Sequence, residues 1–335
     1  MRRSEISKKL NNAKRAAMER LLKSERPARP RHAWAIFPDP QHNIVGVGIG
    51  RKMTRGRWTR TPSIRIYVEH KLPLDSLPDH FLIPTAFGGI KTDVIETGRF
   101  RALLPTPVSG RKRSRPAKPG CSIGFRFSEP HAADLMAGTF GALVEADGVR
   151  YILSNNHVLA NENELPIGTA IFQPGLLDGG NPATDAIATL ARFVPLDTQN
   201  TNNVDCALAT INDASAVSST ILPKIGRLSS AEPIEAAEGM RVEKTGRGTG
   251  YTTGAVIDVA FTGSIQFASG ILTFHNQLLI RGDDGAFADG GDSGALVVDR
   301  TSGRATGLLF SGVPEHAMAN HIGDVLEALN VRLVG

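Results

Sequence analysis

The segment Gly290-Gly291-Asp292-Ser293-Gly294 sets a serine among glycines, directly ahead of the apolar run Ala295–Val298. A serine hydroxyl is a weak nucleophile until a base takes its proton. Flanking glycines let the backbone turn tightly, so the N–H groups of Gly291 and Ser293 can both face an oxyanion developing beside the hydroxyl. A plain solvent turn would use the same residue types. Two further segments supply what the serine lacks. In Tyr151-Ile-Leu-Ser-Asn-Asn-His157 a histidine closes an apolar strand, and in Asn202-Asn-Val-Asp205 an acid opens the nearly uninterrupted apolar run Cys206–Ile211. A partly buried carboxylate needs a partner, and an imidazole N–H is a good one. Taken singly, the histidine reads equally well as a satisfied core residue and the acid as a strand cap.

Their joint occurrence decides between these readings. The order His157, Asp205, Ser293, with gaps of 48 and 88 residues, suits a first barrel carrying histidine and acid and a second carrying the serine. The stretch from about residue 120 to 335 resembles the trypsin-like serine peptidases of the chymotrypsin fold. It is more closely similar to a group of bacterial trypsin-like proteins related to the plant narrow-leaf protein. The motifs that carry this likeness are Leu153–Ala160, Gln173-Pro174-Gly175, Gly290–Gly294 and Gly307–Phe310. Ahead of them, Val45–Gly48 and Thr92–Glu96 also match, so the likeness covers roughly residues 43–335.

The resemblance implies a mainly β, two-barrel chymotrypsin-like fold with the active site in the cleft. Ser293 is then the nucleophile, His157 the general base and acid, Asp205 the orienting carboxylate, and Gly291 and Ser293 the oxyanion donors. The chain departs from the digestive enzymes at two points: Val158 replaces the disulfide cysteine after the histidine, and Phe287 stands where an acid would select Arg or Lys. Asp283, Asp284 and Asp289 lie near enough to leave that preference open. Ile44-Val45-Gly46 resembles the new N-terminus of a processed zymogen, which would pair with Asp292. A strand of the N-terminal module is the preferred reading of that segment.

The positioning elements follow from periodicity. Residues 121–335 read as strand, turn, strand with glycines at the turns, and close on a helix whose Ile322, Val325, Leu326 and Leu329 share one face. Residues 33–100 read as a small α/β module with strands at 43–49, 63–69 and 92–96. Its Gly46-Val-Gly-Ile-Gly50 lacks the third glycine at the right offset, and the following helix, of a dinucleotide loop. Residues 101–120 form a basic, Pro-rich linker, with six Arg or Lys, four prolines and no acid.

Residues 1–32 hold eleven Arg or Lys against three Glu. Their +8 leaves about −3 for the remainder of a chain whose net charge is +5, so the basic charge belongs to the head and not to the body. Ser4 is the expected N-cap of a helix over residues 4–25, with Ile6, Leu10, Ala13, Ala17 and Leu21 on one face. Such a helix needs a surface to lie on: the body, a sister subunit in a homo-oligomer, or an acidic partner. Two cysteines, no signal-type apolar run and no membrane-length apolar stretch point to the cytoplasm.

The expected activity is a serine endopeptidase acting on a protein or peptide substrate through an acyl-enzyme, with no cofactor and no metal. The alternatives are a non-catalytic scaffold that binds peptides in the same cleft, and a small-substrate esterase.

Overall fold

A computed structural model describes residues 1–22, 43–54, 57–102, 112–127, 135–313 and 315–335. The chain opens with a helix, α1 (Lys8–Leu21), followed by β1 (Ile44–Thr54), β2 (Arg57–Val68), β3 (Ala86–Phe87), β4 (Ile90–Glu96) and β5 (Arg101–Ala102). The next group is β6 (Ser122–Ile123), β7 (Gly138–Thr139), β8 (Ala142–Ala146), β9 (Val149–Ser154), the single turn α2 (Asn156–Leu159) and β10 (Ala170–Phe172). Then come β11 (Ala186–Phe193), β12 (Thr201–Asn202), β13 (Ala207–Ile211), β14 (Arg241–Gly246), β15 (Gly250–Gln266) and β16 (Ile271–Gly282). The chain closes with β17 (Leu296–Asp299), β18 (Ala305–Val313), β19 (His316–His321), α3 (Ile322–Leu329) and β20 (Arg332–Leu333).

The architecture is the mainly β one expected, built on two antiparallel sheets of six strands. In the first the order is β10-β11-β13-β9-β8-β20. Its inner face buries Phe140, Leu143, Ile152, Ile171, Ile187 and Leu190. In the second, β14 pairs with β15 and β17, β17 with β18, β18 with β19, β19 with β16, and β16 back with β15, so the six strands close into a ring. Closure leaves none of the six with an open edge along its whole length. Val242, Val256, Leu278, Ile280, Val297 and Leu309 fill its interior. Between the two bodies lies a third cluster in which Leu153, Cys206 and Leu208 meet Leu296, Leu308 and the apolar face of α3. The helix buries Ile322, Val325, Leu326 and Leu329, the four residues that the sequence pattern places on one face.

The N-terminal elements join the second sheet. β1 pairs with β15 through Gly46↔Gly263 and Val47↔Thr262, and the sheet continues through β2 and β4 to β3. The segment beginning at Ile44 is therefore a strand, as preferred. The helix lies on its own body. Leu10, Ala13 and Ala17 pack on Val47, Ile49, Ile64 and Phe87, and Lys14 Nζ reaches Ala260 O, Thr262 Oγ1 and Asn276 Oδ1 at 2.5, 2.9 and 2.9 Å. Burial brings the Lys14 ammonium down to about 8. Arg3 forms a two-pronged ion pair with Asp324.

One correction concerns this helix. It starts at Lys8 and not at residue 4, because Ser7 supplies the N-cap, accepting from Leu10 N at 3.3 Å, while Arg3–Glu5 form a separate 3-10 turn. Residues 23–32, expected to complete the basic head, lie outside the described residues, as do 103–111 of the linker. Among the described residues no helix is long and apolar enough to cross a membrane.

Candidate active site

Asp205 lies two residues ahead of β13, at the end of that strand which neighbours the close of β9. The carboxylate is fully buried, and its acceptor positions are met by donors from one short stretch. Oδ1 takes the N–H groups of Asn156 at 2.7 Å and His157 at 3.3 Å, the first residues of α2. A carboxylate at a helix start satisfies donors that the helix itself leaves over. Oδ2 lies 2.5 Å from His157 Nδ1. An ionised carboxylate accepts only, so Nδ1 carries the hydrogen, and in the neutral imidazole Nε2 keeps the lone pair. The Asp205 backbone is pinned as well: its carbonyl accepts from Asn155 Nδ2 at 2.7 Å, and its N–H donates to Asn320 Oδ1 at 3.1 Å. Asn320 is fixed in turn by Gln277. The histidine thus sits in a helical turn after the strand and not at the strand's end as expected.

The imidazole is 5% exposed, and its Nε2 is buried without a hydrogen-bond partner. Its ring meets the ring of Phe267 edge-on, with centroids 5.7 Å apart. An unpaired acceptor at this depth is costly, and orphaned polar atoms of this kind mark sites where a ligand or reacting group completes the set.

Ser293 lies on the loop entering β17. Its Oγ donates to Phe310 O at 3.3 Å, and its carbonyl accepts from Thr139 N at 2.8 Å. Gly138 is wedged between this loop and α2: a Cβ on it would lie 2.7 Å from the Val158 methyls and 3.2 Å from Ser293 O. The serine loop and the turn bearing His157 therefore share one small-residue contact, with no hydrogen bond between Ser293 and His157 Nε2. Gly291 and Gly294 have φ of +93° and +92°. Side chains there would collide with Arg247 Nη1 at 2.3 Å and Ser154 Oγ at 2.1 Å, so strain and space both require glycine.

Two buried ion pairs hold the loop from below. Asp292 is fully enclosed, with Lys244 Nζ at 3.1 Å and further bonds from Gly248 N at 2.8 Å, Thr249 Oγ1 at 2.7 Å and Asp289 N at 3.0 Å. Arg247 grips both oxygens of Asp178, at 2.6 and 2.7 Å, with neither side chain exposed. Thr139, in β7, links the loop to Arg247 and to β9: its Oγ1 donates to Gly291 O at 2.8 Å and accepts from Arg247 N at 2.9 Å, and its carbonyl accepts from Ser154 Oγ at 2.8 Å. Asp292 thus has Lys244 as its cation, and Ile44 is built into β1.

Sequence reading missed Lys244, Arg247, Asp178 and Thr139. One signal was available. In Arg241–Gly246 the lysine falls in the same alternation phase as Val242, and both are fully buried. A lysine on the inward phase of a strand implies a buried acid opposite it.

A cavity of about 780 Å³ opens beside the serine loop, lined by Phe267, Ala288, Asp289 and Gly290 on one side and by Arg99 and Arg101 from the N-terminal part on another. Of the three acids considered for specificity, only Asp289 lines it; Asp283 bonds Arg241 and Thr253 instead. Phe287 is core, 1% exposed. Both thiols are held protonated: burial pushes Cys121 up to about 12, and burial with the Asp205 charge pushes Cys206 well up. They offer no thiolate to compete with the hydroxyl. Among the described residues no three His, Cys, Asp or Glu side chains cluster as metal ligands.

No family model matches this chain, and no curated protein matches it. Among solved structures it is similar to a glutamic acid specific serine protease at 18% identity, covering 65% of this chain and all of that one, with a TM-score of 0.46. Thermobifida fusca protease A matches at 18% identity over 65% of this chain and 99% of that one, also at 0.46. A Nocardiopsis protease matches at 16% over 59% and 93%, at 0.43.

Proposed function

We propose that this protein is a serine endopeptidase, within the trypsin-like group related to the plant narrow-leaf protein, that cleaves a polypeptide through an acyl-enzyme. The observation that carries the reading is the His157–Asp205 pair: a buried carboxylate fixes the Nδ1–H tautomer and leaves Nε2 buried, basic and without a partner. In this reading the Ser293 hydroxyl turns from Phe310 O to that lone pair. The Oγ–H proton then passes to Nε2 as Oγ bonds to the scissile carbonyl carbon, and negative charge gathers on the carbonyl oxygen. The N–H groups of Gly291 and Ser293 receive that charge. Collapse breaks the C–N bond, the imidazolium gives its proton to the leaving amine, and water repeats the sequence to release the acid.

The cytoplasm is the proposed compartment, on the two unpaired cysteines. The exposed basic face of α1 is proposed to meet an acidic partner or a sister subunit.

Labelling of the purified protein with a fluorophosphonate tests the reading. Covalent modification at Ser293 is expected, absent in Ser293→Ala. A folded protein that takes no label is a peptide-binding scaffold. Rapid turnover of acyl esters with no cleavage of unfolded protein would make it an esterase.

A further inference from the structure

One edge of β18 passes three features in order. Leu309 exchanges main-chain hydrogen bonds with the serine loop, Gly294 N to Leu309 O at 2.8 Å and Leu309 N to Ala295 O at 2.9 Å. At the next residue the Phe310 carbonyl accepts from Ser293 Oγ. Beyond it, Ser311 and Gly312 pair antiparallel with β5, as Ser311↔Ala102 and Gly312↔Arg101, and Ser311 Oγ donates to Arg101 O at 2.6 Å. β17 pairs only with Leu308 and earlier residues, so the edge at 311–312 is vacant but for β5. An extended peptide laid along this edge has its backbone delivered to the serine, and main-chain pairing of this kind binds polypeptides with little regard to sequence.

β5 runs in the direction such a peptide needs, from Gly312 toward Ser311 and so toward Phe310. Its other side pairs in parallel with β15 at Gln266, and Phe100 is anchored in the core, meeting Phe261 edge-on with centroids 5.2 Å apart. Arg101 is exposed, while Ala102 is 6% exposed against Phe267 and Phe310. The paired stretch is two residues long. It is held by few hydrogen bonds and is tethered at Phe100, so it can leave the edge without unfolding the sheet.

We propose that β5 is a built-in occupant of the peptide-binding edge: Arg101–Ala102 take the place along Ser311–Gly312 that the backbone of a polypeptide substrate would take, and the site stays closed to that substrate until β5 moves out. The proposal rests on the reading of Ser293 as the nucleophile, and its test is therefore made on binding.

In a Ser293→Ala background, the affinity of fluorescein-labelled, reduced and carboxymethylated α-lactalbumin is measured by anisotropy. Arg101→Pro removes the backbone donor of an exposed residue. Ala102→Asp drives a charge into the apolar cluster beneath. Each is expected to tighten binding at least about tenfold over the parent, with Arg101→Ala, which keeps the N–H, binding as the parent does. Equal affinity in all four proteins, or an alanine variant that gains as much as the proline one, overturns the proposal. Urea unfolding of each variant verifies that the compared proteins are folded. Absence of fluorophosphonate labelling in the unmutated protein would separately sink the nucleophile and leave the binding result standing on its own.

Discussion

The two sheets hold their shares of the site by different means. The first positions His157 through a hydrogen-bonded carboxylate: Asp205 takes two backbone N–H groups and the imidazole, and its own backbone is tied to Asn155 and Asn320. The second positions Ser293 through fully enclosed charge, the Lys244–Asp292 and Arg247–Asp178 pairs beneath a loop of positive-φ glycines. The hydrogen-bonded half sets a tautomer and a direction. The ion-paired half sets the shape of a loop, and loss of one partner there strands a buried charge, which typically destabilises by about 3–5 kcal/mol. Changes in the first half should therefore alter rate with the fold kept, and changes in the second should alter both.

The largest effect is expected at the serine. Ser293→Ala should lower turnover by about six decades and abolish labelling with urea stability unchanged. Normal turnover in that variant would mean another nucleophile. Next comes Asp205→Asn, which should cost about four decades at neutral pH by favouring the wrong tautomer of His157, again with the fold intact. If unfolding shifts more than rate, the contrast between the halves collapses.

Lys244→Met should remove about 3–5 kcal/mol in urea titrations and slow labelling along with it. Adding Asp292→Asn should return much of the stability, since the stranded charge goes with it; a double variant as unstable as the single one would break the account. The smallest expected effect is a pH dependence away from the site. Burial, and then the Arg281 charge, lowers His316 to about 4 from the ordinary 6.5. The folded protein thus keeps this imidazole neutral, while the unfolded chain takes a proton below 6.5. Its stabilising share is complete above pH 6.5 and is lost as pH falls toward 4, up to about 3 kcal/mol. His316→Gln should flatten that part of a stability-against-pH curve, and an unchanged slope would assign the loss to other groups.

Periodicity made much of this frame legible. The run Ala207–Ile211 and the burial of Ile322, Val325, Leu326 and Leu329 in α3 are as the sequence alone indicates. Long strands extend beyond their apolar runs: β15 runs from Gly250 to Gln266, where only 255–261 stands out in the sequence, because its pairing with β14, β16 and β1 is a long-range fact. No apolar alternation announces β19, because His316, Asn320 and His321 break the pattern, yet all six of its residues are buried by partners distant in sequence. At the site, residues with a distinctive chemical signature were visible. Those whose role is to be paired, such as Lys244 with Asp292, are visible only once strand neighbours are known.

The joining of β1 to β15 bears on how the chain can be divided. At Thr262 and Gly263 the backbone of β15 is covered by Val47 and Gly46, and the Ala260 carbonyl is capped by Lys14. A truncated protein starting at residue 121 would carry the residues read as its chemistry but present this stretch bare. Exposed strand edges recruit other strands, from copies of the same chain when nothing else is near. The N-terminal elements thus act as a solubility guard, and the shortened form should sediment as aggregates or edge-joined dimers where the full chain stays dispersed.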